Sequence, residues 1–229
     1  MKIFAIGDLH LPGGDDKPMN VFGAHWDGHF EKISRDWQAR VGDEDIVLIP
    51  GDISWAMQFE NALPDLQAIN ALPGRKVLLR GNHDYWWPGI MRLRDTLPKG
   101  MYAVQNDALT IENVTFSGSR GWLLPALQNS AEDKKVFERE LIRLRLSLER
   151  AQKLGGRQIS MMHYPPVPED GSDTAFSRLF EEFSVRDVVY GHLHGAANRN
   201  AFCGEKNGTR YHCVSCDRLG FTLYALPDA

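Results

Sequence analysis

Residues 2–10 of the chain read KIFAIGDLH, an apolar run of strand character that passes through a glycine into Asp8 and His10. Residues 45–52 read DIVLIPGD and repeat the arrangement, with Asp52 at the end. Short runs of apolar and β-branched residues are typical of strands buried on both faces of a parallel sheet. Polar residues that follow such strands lie along the edge where open α/β sheets bind ligands. The two stretches therefore predict a largely parallel sheet with a site at its carboxyl edge.

Amphipathic helices separate the predicted strands. Apolar residues spaced three or four apart define one helical face in each interval: Phe30, Ile33, Trp37 and Val41 in the first, and Phe59, Leu63, Leu66 and Ile69 in the second. Pro73 and Gly74 end the second helix and lead into a third strand, Lys76–Leu79. This alternation predicts parallel strands joined by crossover helices.

The pattern changes after Pro98. Short extended pieces with Asn, Asp and Gly between them are typical of antiparallel hairpins, and they occur at Met101–Val104, Leu109–Glu112 and Val114–Ser117. The remaining predicted strands are Gln158–Met162, Arg186–Tyr190, Tyr211–Ser215 and Phe221–Ala225. Together these pieces predict a second sheet or an extension of the first.

The longest predicted helix starts at a capping-box pattern, Ser130 to Asp133, and ends at Gly155. Its apolar stripe consists of Phe137, Leu141, Leu144, Leu148 and Ala151, and its outer side carries Lys135, Arg139, Arg143 and Arg150. The basic residues are either a docking surface for an acidic partner or a solvated helix face. We expect the solvated face, because Glu138, Glu140 and Glu149 moderate the charge.

Length and charge limit the classes of protein that the chain resembles. A chain of 229 residues with 43% hydrophobic content can bury one large core, and we predict a single domain over residues 1–229. A net charge of −4 and a pI near 6.1 do not support binding to nucleic acid. No apolar run reaches the roughly 20 residues that span a bilayer, and the apolar start is too short for a signal peptide. We therefore expect a soluble, cytoplasmic protein with no membrane partner.

The chain has three cysteines, Cys203, Cys213 and Cys216, which is not a disulfide framework and suits a reducing cytosol. Cys213 and Cys216 have the spacing of half a zinc ribbon or of a redox pair. A ribbon needs a second pair, so we expect both to be small apolar residues of the core.

Five segments place Asp, Asn or His directly after a predicted strand: Gly7-Asp8-Leu9-His10, Gly51-Asp52, Gly81-Asn82-His83-Asp84, Met162-His163 and Gly191-His192-Leu193-His194. In four of them a glycine precedes the polar residue and permits a tight turn or a close approach of the backbone. Each segment alone is a weak signal. Five in succession at strand ends indicate that the chain brings nitrogen and oxygen donors to one edge.

These donors include no thiolate, which suits Mn²⁺, Fe, Zn²⁺ or Co²⁺ better than a soft-metal site. The candidate metal ligands are Asp8, His10, Asp52, Asn82, His163, His192 and His194. Seven donors exceed the needs of one ion. Two ions about 3.5–4 Å apart would use them all, as in two-metal phosphatases and nucleases.

The ordered motifs resemble the complete signature of the calcineurin-like metallophosphoesterases, and the resemblance spans residues 7 to 194. It implies an α/β (α+β) fold with a central two-sheet β-sandwich of mixed strands flanked by helices. The mixture of parallel and hairpin segments supports that fold.

The resemblance also implies a role for each ligand. One metal would be held by Asp8, His10 and His194, its neighbour by Asn82, His163 and His192, and Asp52 would bridge them. His83 would lie near the scissile phosphate without binding metal, and Asp84 would orient its ring through a hydrogen bond. The alternative for His83 is that it is another ligand.

The implied reaction is metal-dependent hydrolysis of a phosphomonoester or phosphodiester of a small molecule. Two cations, which we expect to be Mn²⁺ with Fe or Zn²⁺ as alternatives, would ionise a bridging water that attacks phosphorus in line. Asn82 and His83 would then contact the substrate, and no phosphoenzyme is expected.

Other residues are candidates for substrate contact. Arg120 lies in a loop-like segment from which it would reach a phosphate, unless it is an ordinary surface arginine. Tyr85, Trp86 and Trp87 would stack on a base or sugar, although core packing is favoured for them. The segment from Gly13 through Asp15 and Asp16 to His25, Trp26 and His29 would overhang the site as a loop.

There are three alternatives to a small-molecule phosphatase. The first is a phosphodiesterase for cyclic nucleotides or nucleic-acid ends, which the metal ligands do not distinguish from a phosphatase because both would use the same ligand set. A scaffold protein that retains the fold without turnover is disfavoured, because Asp52, Asn82 and His83 are all present. A zinc-ribbon interaction module lacks the necessary ligands.

Overall fold

The computed structural model describes residues 1–14 and 18–227, and in them the strands form two sheets. In chain order the strands are β1 (Ile3–Ala5), β2 (Ile46–Pro50), β3 (Arg75–Leu79), β4 (Met101–Val104), β5 (Ala108–Ile111), β6 (Val114–Ser119), β7 (Arg157–Met162), β8 (Asp187–Tyr190), β9 (Gly204–Lys206), β10 (Thr209–Cys213) and β11 (Tyr224–Ala225). The first sheet has the order β11-β1-β2-β3-β4, and the second has the order β5-β6-β7-β8-β10-β9.

Both sheets are parallel at the centre, with an antiparallel strand at one edge of the first sheet and at both edges of the second. β1, β2, β3 and β4 run parallel, with β11 antiparallel to β1. In the second sheet β6, β7, β8 and β10 run parallel, while β5 and β9 are antiparallel edges. Parallel neighbours end at the same edge of a sheet, so the segments that follow them lie side by side.

Helices cover the outer face of each sheet. They are α1 (His29–Arg40), α2 (Phe59–Asn70), α3 (Ile90–Thr96), α4 (Ala131–Leu154) and α5 (Ala175–Glu182), with short 3₁₀ turns at Met19–Phe22, Ala24–Trp26, Pro125–Leu127 and Gly195–Asn200. α1, α2 and α3 pack in one core with the first sheet, and α4 and α5 pack in another with the second. A third core lies between the sheets. The predicted two-sheet sandwich of mixed strands flanked by helices is confirmed.

Side-chain alternation explains why the central strands are apolar throughout. Ile46 and Leu48 of β2 lie in the core between the sheets, whereas Val47 and Ile49 lie in the core beneath the helices. Successive side chains of a strand point to opposite faces, so a strand covered on both faces needs both sets to be apolar. Each fully buried side chain of this size contributes about 1.5–3 kcal/mol.

The long helix begins and ends where its sequence signals predicted. The Ser130 side chain accepts a hydrogen bond from the backbone N–H of Asp133 at 3.0 Å, and Gly155 follows the last turn with φ 74°. The helices predicted around Ile33 and Leu66 are also present, as α1 and α2.

Two strand predictions differ from the structure. The strand expected at Phe221–Ala225 covers only Tyr224–Ala225, because Phe221 has φ 62° and lies in a bend. Met101–Val104 was expected to be hairpin material, but β4 pairs in parallel with β3, in the register Lys76↔Met101. The short helix α3 provides the crossover that a parallel connection requires. The other two extended pieces do form the antiparallel hairpin β5–β6. Sequence analysis also missed α5 and β9, which span only eight and three residues.

Within the described residues, none of the helices combines the length and the apolar character that crossing a bilayer requires.

Candidate metal centre

The five predicted segments leave their strands at one edge of the sandwich, and their side chains meet there. Asp8, Asp52 and His163 are almost completely buried, and Asn82, His192 and His194 are half-buried. The structure therefore brings together every residue that the sequence predicted as a metal ligand, including His10.

The first cluster consists of Asp8, His10 and His194, whose candidate ligand atoms lie within 4.8 Å of one another. The Nε2 atoms of His10 and His194 are 3.2 Å apart, and Nε2 of His194 is 3.9 Å from Oδ1 of Asp8. Two imidazole nitrogens and a carboxylate thus converge on one point.

The second cluster consists of Asp52, Asn82, His163 and His192. Candidate ligand atoms of Asp52, His163 and His192 also lie within 4.8 Å of one another. The side-chain oxygen of Asn82 is 2.7 Å from Nε2 of His163 and 2.9 Å from Nδ1 of His192. This cluster adds an amide oxygen to the imidazoles and the carboxylate.

Asp52 lies between the two clusters. Its Oδ2 atom is 3.4 Å from Nε2 of His163 in the second cluster and 3.8 Å from Nε2 of His10 in the first. A carboxylate has two oxygens and can be shared by two cations. Asp52 is thus the residue placed to join the clusters.

The chemistry of the clusters fits a pair of cations. Ring nitrogens that approach at 3.2 Å in the first cluster and 3.3 Å between His163 and His192 can share at most one proton per pair. A cation between them would be coordinated by both lone pairs. Oxygen and imidazole donors without sulfur suit borderline divalent metals. The described residues of both clusters contain no cysteine, and Cys213 and Cys216 are buried free thiols of the core, as expected.

The backbone is strained where it presents these ligands. Asp8, His10, Asp52 and His192 all have positive φ, between 45° and 74°. Residues other than glycine seldom adopt this conformation, and each such residue costs on the order of 1–3 kcal/mol. The surrounding sheets impose it, since the amide N–H groups of Asp8 and His10 bond to the carbonyls of Gly51 and Asp52.

Two of the predicted glycines allow the backbone to approach the carboxylates. A Cβ atom on Gly81 would collide with Oδ1 of Asp52, and one on Gly191 would collide with Oδ2 of Asp8. The backbone N–H of His192 donates to the Asp8 carboxylate at 3.0 Å, and that of His83 donates to Asp52 at 2.8 Å. The close approach of backbone expected at the glycines is therefore present in the Gly81-Asn82 and Gly191-His192 pairs.

Burial and the nearby carboxylates together set the charges of the ligand histidines. Burial lowers the pKa of His10 to about 3 and that of His192 to about 3, so both rings are neutral, as metal ligands must be. Burial acts in the same direction on the other two rings, but attraction to Asp52 raises the pKa of His163 to about 9, and the hydrogen bond with Asp217 raises the pKa of His194. Burial also raises the pKa of Asp8. Burial would raise the pKa of Asp52 too, but attraction to His163 outweighs it and holds the pKa of Asp52 below its ordinary value.

A carboxylate outside the predicted set supports the first cluster. Oδ1 of Asp217 is 3.1 Å from Nδ1 of His194, and its Oδ2 accepts the backbone N–H of Gly195 at 2.9 Å. Such a partner sets the tautomer and the orientation of a ligating histidine. Asp217 follows the predicted strand Tyr211–Ser215 closely, as the other motif residues follow theirs, and only the preceding glycine is missing. His163 has a similar partner, the carbonyl of Pro50, at 3.0 Å from Nδ1.

Asp217→Asn should weaken metal binding at the first cluster by about 10–100-fold, because an amide fixes His194 less firmly than a carboxylate does. Isothermal titration of metal-stripped protein with Mn²⁺ measures this change. Asp95→Asn, at an exposed position of α3, is the matched control and should titrate like the wild type. Equal affinities in all three proteins would show that Asp217 does not support the cluster.

His83 lies beside the clusters, but its predicted hydrogen bond to Asp84 does not form. In the described residues the Asp84 carboxylate accepts from the backbone N–H groups of Gly81, Ile53 and Ser54 and from Nε1 of Trp86. Asp84 is completely buried and turned away from His83, because these donors at the ends of β2 and β3 need a buried acceptor. Asp84 therefore holds the loop that carries Asn82 and His83.

The His83 ring is half-buried and packed against aromatic neighbours. Its centroid is 4.6 Å from that of Trp55 and 5.9 Å from that of His10. Trp55 also stacks on His10 at 4.7 Å, so one indole contacts both imidazoles. Sequence analysis did not single out Trp55.

Arg120 lies at the end of β6, where its carbonyl accepts the backbone N–H groups of His163 and Tyr164 at 3.1 and 3.0 Å. Its guanidinium group stacks over Trp122 at 4.7 Å and is half-buried. Contact with a substrate phosphate stays a prediction for this residue, since its side chain is not part of either cluster.

The segment that was predicted to overhang the site lies against the first cluster in part. The Trp26 ring is 5.8 Å from that of His194 and 6.3 Å from that of His10, so this segment does lie against the first cluster. His29 contacts the carbonyl of Leu9 through Nε2 at 2.9 Å, while His25 is exposed. Asp15 and Asp16, predicted to belong to the same loop, lie outside the described residues.

The aromatic run after Asp84 separates in the same way. Trp86 and Trp87 are buried in the core, as expected. Tyr85 is exposed, and its ring centroid is 6.4 Å from that of His83.

Two ligand clusters joined by a carboxylate, at the carboxyl edge of a helix-flanked β-sandwich, form the arrangement of a two-metal enzyme. A family model described as calcineurin-like phosphoesterase matches residues 1–196, and the chain belongs to this family. It is accordingly a hydrolase that acts on phosphoester bonds.

Solved structures share the fold at low sequence identity. A phosphopantetheinyl hydrolase from Mycobacterium tuberculosis is 15% identical, with a TM-score of 0.54 over 99% of this chain and 96% of that one. A protein of unknown function from Aquifex aeolicus is 14% identical, with a TM-score of 0.50 over 98% and 95% of the two chains. No curated protein matches the sequence.

Proposed function

We propose that the protein hydrolyses a phosphomonoester or phosphodiester bond of a small phosphorylated molecule in the cytoplasm, using two divalent cations, which we take to be Mn²⁺. The observation that carries the proposal is the position of Asp52, 3.4 Å from a histidine of one cluster and 3.8 Å from a histidine of the other. A shared carboxylate of this kind is what a two-metal phosphoesterase requires.

The residues would divide the work as follows. Asp8, His10 and His194 would hold one cation, Asn82, His163 and His192 the other, and Asp52 both. When bound, the cations would lower the pKa of a coordinated water and neutralise charge on the phosphoryl oxygens. The Asn82 carboxamide would also bring its N–H₂ group close to a substrate oxygen.

His83 would act on the substrate and not on a cation. In the described residues its ring makes no side-chain hydrogen bond, and it stands beside the clusters against Trp55. Burial lowers its pKa. The negative charge of a bound phosphoryl group would raise that pKa again, and the imidazolium so favoured would donate its proton to the departing oxygen or stabilise charge on the phosphoryl group.

The surroundings of the second cluster favour a small-molecule substrate. A cavity of about 350 Å³ borders His192 and is walled mainly by apolar residues, among them Trp122, Leu193 and Phe202. Tyr164 packs on His192 with the ring centroids 4.1 Å apart. Cavities of this size and character bind parts of small ligands. The net charge of −4 supports neither nucleic-acid ends nor an anionic membrane as the partner.

Two other functions are less well supported. Cleavage of cyclic nucleotides would use the same ligands, and the exposed Tyr85 near His83 is the observation that favours it, because a base could stack there. A scaffold without turnover has no reason to keep two complete clusters in strained backbone. The cytoplasmic location is supported by three free cysteines.

Metal removal tests the proposal directly. Full-length protein stripped with chelator should lose hydrolysis of p-nitrophenyl phosphate and bis-p-nitrophenyl phosphate and regain it with Mn²⁺. The melting temperature should rise on reloading, since a ligand at 100 times its Kd stabilises the folded state by about 2.7 kcal/mol. The preferred ester distinguishes a phosphatase from a phosphodiesterase. Hydrolysis that persists after complete metal removal would exclude the mechanism.

A further inference from the structure

We propose that an arginine-lined pocket beside the metal centre binds a second phosphoryl group of the substrate, so that the enzyme acts on molecules with two phosphoryl groups. The inference rests on the proposed function, because one of the two groups would be hydrolysed at the clusters. The binding of the other group depends on residues outside both clusters.

The pocket lies where the ends of β3, β4 and β6 meet α4. Its volume is about 330 Å³, and its polar lining comprises Arg80, Gln105, Asn106, Ser119, Arg120, Arg139, Glu140 and Arg143. Two of its residues are connected through the backbone to ligands of the second cluster. Arg80 precedes Asn82 by two positions, and the carbonyl of Arg120 accepts the backbone N–H of His163.

The lining is strongly basic in a chain of net charge −4. Four arginines face one carboxylate, that of Glu140. Glu140 attracts Arg120 but makes its close ion pair with Arg143, at 2.6 Å. Arg80, Arg120 and Arg139 make no ion pair of that kind within the part of the chain that the structure describes. Three unpaired guanidinium groups around one pocket repel one another, and an anion between them would remove that repulsion.

Several of these donors are fixed before any ligand arrives. The Arg120 guanidinium stacks on Trp122, and its Nε atom is buried without a hydrogen-bond partner. Nε of Arg80 donates to the carbonyl of Asp84 at 3.1 Å, which leaves its two terminal nitrogens available. Oε1 of Gln105 accepts the indole N–H of Trp87 at 2.7 Å, so the Gln105 amide group is free to donate. A buried donor without a partner is costly unless a ligand satisfies it.

A phosphoryl group matches this set of donors better than a carboxylate does. Guanidinium groups bind phosphate oxygens through paired N–H donors, and several of them can surround a tetrahedral anion from different sides. The pocket volume is near the lower limit of ordinary ligand sites, which suits one phosphoryl group and the atoms next to it. The helix face that carries Arg139 and Arg143 is therefore more than a solvated surface.

Arg139→Gln is the variant that tests the pocket, because Arg139 is exposed and its loss should leave the fold intact. The matched control is Arg186→Gln, which removes the same charge from an exposed position. Arg186 lies directly before β8, at the amino ends of the parallel strands, whereas the pocket lies at their carboxyl ends. Thermal unfolding verifies that both variants are folded.

The first measurement is titration of metal-stripped, full-length protein with inorganic phosphate and pyrophosphate at low salt. Wild type and Arg186→Gln should bind, and Arg139→Gln should bind about tenfold more weakly, the effect of one charge-assisted contact. Absence of binding to the stripped wild-type protein, or equal binding by all three proteins, would overturn the proposal.

The second measurement uses Mn²⁺-loaded protein and a series of α,ω-alkanediol bisphosphates of increasing length, each beside its monophosphate. Wild type should prefer bisphosphates of one length range in kcat/KM, and Arg139→Gln should lose about tenfold of that preference. Phosphate binding without any such preference would overturn the substrate assignment and indicate a site for free phosphate. Failure of the loaded protein to hydrolyse any ester would instead reject the proposed function, whatever the stripped protein binds.

Discussion

Replacement of Asp52 by Asn should remove metal and activity together. Asp52 is the carboxylate that approaches histidines of both clusters, and the amide retains its shape while losing the charge and one acceptor oxygen. Two-metal stabilisation of the phosphoryl group contributes several kcal/mol, and each 1.36 kcal/mol is a factor of ten in rate. We therefore expect kcat/KM for p-nitrophenyl phosphate to fall by at least about 10³-fold.

The metal content of the Asp52→Asn protein, measured by elemental analysis after dialysis, should fall below that of the wild type. Asp95→Asn makes the same chemical change on the surface of α3 and should retain both metals and full activity. An Asp52→Asn enzyme with normal metal content and normal rate would show that Asp52 does not join the clusters.

Replacement of His83 by Ala should have a different signature, in which the metals stay and the rate is lost. The His83 ring is outside both clusters and packs against Trp55, so its removal leaves every ligand atom in place. General acid–base catalysis contributes about 10²–10⁴-fold, and kcat should fall by a factor in that range.

Metal content and melting temperature are the controls for His83→Ala, and both should match the wild type. Loss of one metal equivalent in this variant would make His83 a ligand and not a catalytic residue. Because Asp84 makes no hydrogen bond to His83, substitutions of the two residues should have different effects. A substitution of Asp84 should disturb the loop and lower the stability of the fold, which the His83→Ala substitution should not do.

Asp84 has a structural role in the Asn82–Asp84 segment and does not contact the His83 ring. Adjacent Asn, His and Asp residues suggest a chain of contacts from carboxylate to imidazole to substrate. In the structure the carboxylate instead collects N–H donors from the ends of two neighbouring strands. Burial and the neighbouring Asp52 raise its pKa to about 6, while the donors favour its ionised form. Asp84 thereby acts on the site by positioning Asn82 and His83.

The candidate ligands and the buried strands followed from local sequence patterns, whereas the two-sheet sandwich was implied by the resemblance to the metallophosphoesterases. Apolar runs such as Val47–Ile49 indicate a strand that is buried on both faces. Gly81 and Gly191 indicate positions where a carboxylate lies close to the backbone. Asp217 was missed because Cys216 separates it from the predicted strand and because its role depends on a contact with His194, 23 positions earlier in the chain. The parallel pairing of Met101–Val104 was missed because the pattern of a short strand does not reveal its partner.

The amino-acid sequence by itself determined which side chains would gather at the sheet edge, because parallel strands end together and each motif directly follows a strand. Only the tertiary structure decided the contacts that the motifs do not show: Asp217 with His194, Asp84 with the backbone N–H of Ile53 instead of with His83, and Arg139 of α4 in one pocket with Arg80. These contacts join residues far apart in the chain, and their geometry depends on how two sheets and their helices pack, which no local pattern encodes.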